Sequence, residues 1–126
     1  MSRIEDFETA LDRFDDVLRQ PDTEYIPDAA IQRFEFCFEL AWKTTQEKAR
    51  QFGSDTASAR TAIGFAWRSQ WIEDEGAWLE LLKARNLTVH TYHEETAAAI
   101  YEQLPYFASM FRALLNTLKS TDTAPC

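Results

Sequence analysis

The residues best equipped for chemistry lie together in Lys83-Ala84-Arg85-Asn86-Leu87-Thr88-Val89-His90-Thr91-Tyr92. There a guanidinium, an amide, an imidazole and a phenol fall within eight residues. An imidazole, whose ordinary pKa is about 6.5, takes or gives a proton at neutral pH. A guanidinium is always charged and grips phosphate through paired hydrogen bonds. Arg85 and His90 therefore carry the groups needed for metal-free acid–base chemistry at a phosphate ester, with Arg85 stabilising charge that develops on the phosphate. Asn86 could orient the imidazole or hold a phosphate oxygen. Each residue also has a structural reading. A histidine near a helix end is often a solvated or capping group, an arginine on a core stripe often pairs with a buried carboxylate, and a tyrosine ring often packs at a helix start.

The elements around these residues decide whether they can meet. Trp78, Leu81 and Leu82 repeat at helical spacing and define a buried stripe, and the next position on it is Arg85. An arginine on such a stripe needs a partner or a ligand. Thr91-Tyr92-His93-Glu94 reads as a capping box that opens a new helix. His90 and Tyr92 are thus expected where one helix ends and the next begins. On an unbroken helix Arg85 and His90, five residues apart, point away from each other. At a junction, or across a two-fold interface, they can converge on one ligand.

The pattern Arg85-x4-His90-x-Tyr92, filled by Asn86-Leu87-Thr88, resembles the signature of HEPN-type toxins, and more narrowly the nucleotidyltransferase substrate-binding proteins. A second stretch, Ile31-Gln32-Arg33-Phe34-Glu35-Phe36-Cys37-Phe38-Glu39-Leu40-Ala41-Trp42-Lys43, resembles the same group. The spacing between the two stretches fits as well, and the likeness runs from about Ile4 to Leu118. The resemblance implies a homodimeric HEPN-fold bundle with its cleft at the dimer interface. Arg85 and His90 would be the catalytic pair of a metal-independent endoribonuclease toxin acting on RNA, with Asn86 in support. Tyr92 would be the AMP acceptor of a cognate minimal nucleotidyltransferase, the antitoxin of a two-gene toxin–antitoxin pair. The added phosphate would fill the cleft and repel a substrate phosphate near Arg85. The alternative is a non-catalytic substrate-binding or docking subunit of the nucleotidyltransferase. Ala84 and His93 depart from the pattern, standing where many relatives would carry an acidic residue.

Composition bounds the rest. At 126 residues with three glycines and four prolines, the chain has little material for hairpins. No strand-like alternation persists. The expected fold is all-α: an up-and-down antiparallel four-helix-type bundle with one additional short helix, a single domain over 1–119 and a disordered tail over 120–126. Thirteen basic against twenty-one acidic side chains give a net charge of −8, which argues against a general RNA or DNA binder and leaves room only for a local basic cleft. The two cysteines, Cys37 and Cys126, read as free thiols. With no signal peptide and no apolar run able to span a bilayer, a soluble cytoplasmic protein is expected.

Helix by helix, Ser2-Arg3-Ile4-Glu5 is a capping box for a stripe of Ile4, Phe7, Leu11, Phe14 and Leu18. Pro27 opens a second helix to about Phe52, stopped by Gly53, that buries Ile31, Phe34, Phe38, Ala41, Trp42, Ala49 and Phe52 and turns Phe36 and Leu40 to its far side. That second apolar side is consistent with a homodimer. Arg33, Glu35, Glu39, Lys43 and Glu47 read as surface pairing, with Arg33 also a possible cleft residue. A short third helix carries Ile63, Ala66, Trp67 and Trp71. Asp74 caps a fourth, and a fifth runs from near Tyr92 to about Lys119 with a kink at Pro105. His90-x-x-His93 with Glu94 and Glu95 has zinc-ligand residue types, but the junction breaks their register and no further histidine completes a set. No metal and no cofactor is expected.

Overall fold

A computed structural model of the chain describes residues 2–121 as an all-α bundle. Five helices follow one another: α1 (Arg3–Leu18), α2 (Ile26–Gln51), α3 (Ala59–Arg68), α4 (Glu75–Leu87) and α5 (Glu94–Ser120), with a 3₁₀ turn, Thr88–His90, between the last two. Local chemistry sets most of the boundaries. Ser2 Oγ accepts the Glu5 amide at 3.2 Å while Glu5 Oε1 accepts the Ser2 amide, so the expected capping box forms. Ser58 and Thr61 make the same reciprocal arrangement at the start of α3. Asp74 Oδ1 accepts the Ala77 amide at 3.0 Å and opens α4. Gly53, at φ +82°, takes the left-handed turn that stops α2.

Helices α1, α2 and α5 pack against one another, α3 lies on α2, and α4 rests on α3 while touching α2 and α5. Phe111 of α5 sits at the centre. Its ring lies 6.2 Å from Phe7 and Phe14 of α1, 6.0 Å from Phe34 of α2 and 5.8 Å from Trp78 of α4. Phe34 also stacks on Phe107 at 5.6 Å. Tilted and edge-on rings at these separations are the favourable arrangements for aromatic quadrupoles. The α5 stripe of Ile100, Leu104, Phe107, Phe111, Leu114 and Leu118 is wholly buried, as the spacing predicts.

Several details differ from the sequence expectation. In α1, Val17 is buried in place of Leu18, which is half-buried, because the stripe drifts around the helix. Trp71 lies beyond the end of α3, packed edge-on against Phe52 and Phe65. Trp67 and Phe52 are exposed, not core. Cys37 belongs to the core, beside Phe38. On α4 the buried positions are Trp78, Leu81 and Ala84, followed by Thr88 in the turn, so Arg85 borders the stripe. Helix α5 begins at Glu94 instead of Tyr92, continues through Pro105 and includes Ser120. Of the expected tail, residues 122–126 lie outside the described part, and Cys126 with them. Phe36 is exposed on the far side of α2, as its position predicts. No helix among the described residues is long and apolar enough to cross a membrane.

Two stability predictions follow from this core. Phe111→Ala removes the ring shared by four neighbours and should cost about 3–5 kcal/mol in chemical denaturation, whereas a loss under about 1 kcal/mol would show that the hub is dispensable. Burial, helped by the Asp15 charge and only partly offset by Arg112, pushes the Cys37 thiol up to about 12. In a Cys126→Ser protein at pH 8, a thiol reagent should therefore leave Cys37 unlabelled until the chain is unfolded. Because the thiol is raised by folding, it should lower stability progressively as pH climbs from the ordinary thiol range toward that value. Rapid labelling of the native protein would contradict both expectations.

Candidate functional site

The site is built by the way α4 stops. Thr88 and Val89 are β-branched and poor helix formers, and Thr91 follows closely. Thr88 Oγ1 donates to the Arg85 carbonyl at 2.7 Å, and Thr91 Oγ1 donates to the Thr88 carbonyl at 3.2 Å. The His93 amide then donates to the His90 carbonyl at 3.1 Å. The Arg85 carbonyl also accepts the Thr88 amide, so these bonds close the last turn of α4 onto its own carbonyls. Thr91 is thus spent on the preceding turn and does not cap α5. The N-cap of α5 is His93, without a side-chain cap bond. Glu94 and Glu95 in the first turn of α5 complement the positive end of its dipole. The expected junction is present, two residues later than its sequence signature places it.

Buried Thr88 anchors this turn, and the side chains that follow are left outside. His90 Nδ1 lies 3.2 Å from the Tyr92 hydroxyl, with the two rings edge-on at 5.9 Å. The His93 ring lies 4.4 Å from the Tyr92 ring. Tyr92 is 74% exposed despite these two imidazole neighbours. It edges an open cleft of about 540 Å³ shared with Asp28, Gln32 and Glu35 of α2. A second groove of about 880 Å³ adjoins it at Asp28 and Thr91 and carries Asp22, Glu24, Glu94 and Glu102. The phenol therefore stands at the rim of an acidic trough.

Arg85 is held on another neighbour. Its Nη2 donates to Glu39 Oε1 of α2 at 3.4 Å, and Lys43 Nζ lies 3.6 Å from Glu39 Oε2. The Arg85 side chain is 26% exposed and Glu39 38%, so solvent screens the pair and it contributes no more than about 1 kcal/mol. Among the described residues, Arg85 Nε is buried with no hydrogen-bond partner. A buried guanidinium nitrogen left unsatisfied is a cost that a pure packing role does not explain. Among the described residues no hydrogen bond joins Arg85 to His90. Asn86 is exposed beside Arg85. Arg33 is engaged elsewhere, its Nη1 donating to the Arg13 carbonyl of α1 at 2.8 Å.

Glu39 is the site residue that sequence reading left on a solvated surface. Its one cue was position: it directly follows buried Phe38 and so stands at the edge of the core. The acidic trough had no sequence signature, because its carboxylates come from the α1–α2 connector, α2 and α5. Among the described residues, no group of three or more His, Cys, Asp or Glu side chains is arranged to hold a metal ion.

Comparison with known proteins bears on this geometry. Residues 2–120 match the family model described as nucleotidyltransferase substrate binding protein like. A probable ribonuclease HepT from Haemophilus influenzae is 35% identical over 96 residues, a stretch covering 71% of this chain and 65% of that protein. A crystal structure from Thermus thermophilus superposes with a TM-score of 0.84 at 37% identity, over 90% of this chain and 98% of the other. A Haemophilus influenzae structure, described as revealing the fold of a substrate binding domain of a nucleotidyltransferase, superposes with a TM-score of 0.83 at 25% identity, over 93% and 99%. Since the matching family model runs from the cap of α1 to the last residue of α5, the chain belongs to the nucleotidyltransferase substrate-binding protein family, the HepT-like group associated with the HEPN fold.

Proposed function

We propose that this chain is the docking and acceptor subunit of a nucleotidyltransferase, to which the α4–α5 junction presents Tyr92. The observation that carries this reading is the phenol itself, 74% exposed at the rim of an open cleft, with its hydroxyl against His90 Nδ1. The acidic trough beside it favours a protein partner with a basic face over the phosphate backbone of RNA. The family's description, nucleotidyltransferase substrate binding protein like, supports a nucleotidyltransferase as that partner. The group transferred is a nucleotidyl unit such as AMP, and the acceptor atom is Tyr92 Oη.

A second reading keeps the ribonuclease. The relative's name as a probable ribonuclease and the unsatisfied Nε of Arg85 favour it. Here a phosphate would draw Arg85 away from its weak pair with Glu39, His90 would act as base or acid, and Asn86 would support them. Arg85 and His90 would meet within one protomer or across a homodimer formed through the exposed Phe36 side of α2. Modification of Tyr92 would then silence the toxin by blocking the cleft.

The two readings part in one set of measurements. Mixed with its transferase, ATP and magnesium, the chain should form a stable complex and gain one or more adenylyl units, while Tyr92→Phe gains none. No complex and no mass increase would overturn the docking reading. Structured RNA incubated with the chain in EDTA should stay intact, and cleavage that disappears in His90→Ala would put the ribonuclease in its place. Arg85→Met should change folding stability by less than about 1 kcal/mol, as expected when a screened pair is lost, yet weaken the complex or the RNA chemistry. A stability loss above about 3 kcal/mol with function unchanged would make Arg85 a structural residue.

A further inference from the structure

Transfer to a tyrosine poses a problem that exposure alone does not solve. A phenol, with an ordinary pKa of about 10, is ionised in roughly one molecule in a thousand at pH 7. Its oxygen becomes a competent nucleophile toward phosphorus only as the proton leaves. Some group must stand within hydrogen-bond reach to take it. On this chain one does: His90 Nδ1, 3.2 Å from the Tyr92 hydroxyl.

We propose that His90 is the general base that activates Tyr92 for nucleotidyl transfer, an inference that rests on Tyr92 being the acceptor. The hydroxyl donates to Nδ1 when the ring proton resides on Nε2, the tautomer that a base acting through Nδ1 requires. Tyr92 Oη then attacks the α-phosphorus of a nucleoside triphosphate brought by the transferase. A bond forms between Oη and that phosphorus, the bond from the α-phosphorus to the bridging oxygen breaks, and pyrophosphate leaves with the electron pair. The phenol proton passes to Nδ1, and the imidazolium returns a proton to water from Nε2. No oxidant or reductant enters.

The surroundings suit this assignment. His90 closes the 3₁₀ turn two residues before Tyr92, so acceptor and base come from one short stretch of this chain. His93 is placed differently. Its ring lies against the Tyr92 ring at 4.4 Å and limits the swing of the phenol, without a hydrogen bond to the hydroxyl. The cleft side of Tyr92 stays open for the incoming nucleotide. The acceptor thus carries its own base, and the transferase need supply only the nucleotide and its metal.

The test is a single-turnover transfer assay read by intact mass, using the purified chain, its transferase, ATP and magnesium, with binding to the transferase measured in parallel. His90→Ala should slow transfer by about 10²-fold or more while its affinity for the transferase stays within about twofold. Added imidazole should restore part of the rate, and His93→Ala should cost much less. Transfer by His90→Ala at the wild-type rate would overturn the base, while the acceptor reading survives as long as Tyr92→Phe remains unmodified. A rate loss that follows weakened binding and resists imidazole would assign His90 to docking instead. Equal modification of Tyr92→Phe would remove the acceptor reading and this inference with it.

Discussion

The contact on which the functional end of this molecule depends is Trp78 against Phe111, ring centres 5.8 Å apart. Phe111 of α5 is already fixed by Phe7 and Phe14 of α1 and by Phe34 of α2. Trp78 joins α4 to that cluster. Three residues on, Leu81 is fully buried, and after another three Ala84 is buried too. The direction in which Arg85 faces is therefore set by packing more than ten ångströms of helix away, at about 1.5 Å of rise per residue, while the local bonds of Thr88 and Thr91 set where α4 runs out. Interiors packed this tightly transmit position with little slack.

Electrostatics at the junction works in the opposite sense, by weak and replaceable pairs. Glu39 holds Arg85 at 3.4 Å and is shared with Lys43, and every member is partly solvated. Such an arrangement orients a guanidinium without locking it. The shorter ion pairs lie elsewhere: Arg112 reaches Asp15 at 2.6 Å and Asp12 at 3.0 Å, tying α5 to α1 near the buried Cys37, with its members partly solvated as well. The tighter contacts thus join two helices of the bundle and the looser one sits beside the candidate site, where a ligand has to compete for the cation.

Much of the fold was legible because its signals are local. Capping residues at Ser2 and Asp74, the glycine at 53, and the apolar spacing of α5 are each readable within a few residues, and each appears where the spacing puts it. The junction was legible in kind but not in detail. Thr91 has the residue type of a cap, yet its hydroxyl reaches back to the Thr88 carbonyl, a choice that depends on the 3₁₀ geometry and not on residue type. The partner of Arg85 was out of reach for another reason. Glu39 lies forty-six residues earlier, and only the packing of α4 against α2 brings the two together. The His90–Tyr92 contact, two residues apart, could be anticipated as proximity but not as a hydrogen bond.

The family relationship supports a nucleotidyltransferase as partner, and the exposed phenol beside His90 supports the Tyr92 hydroxyl as the proposed acceptor. Both meet in one claim: the transferase engages this chain at the α4–α5 junction, with the Tyr92 hydroxyl as the reacting group. A crystal structure of the complex with a non-transferable nucleotide analogue tests that claim most directly. The account predicts Tyr92 Oη in line with the α-phosphorus, with His90 Nδ1 still within hydrogen-bond distance of it. A transferase seated on another face, with Tyr92 open to solvent, would contradict it.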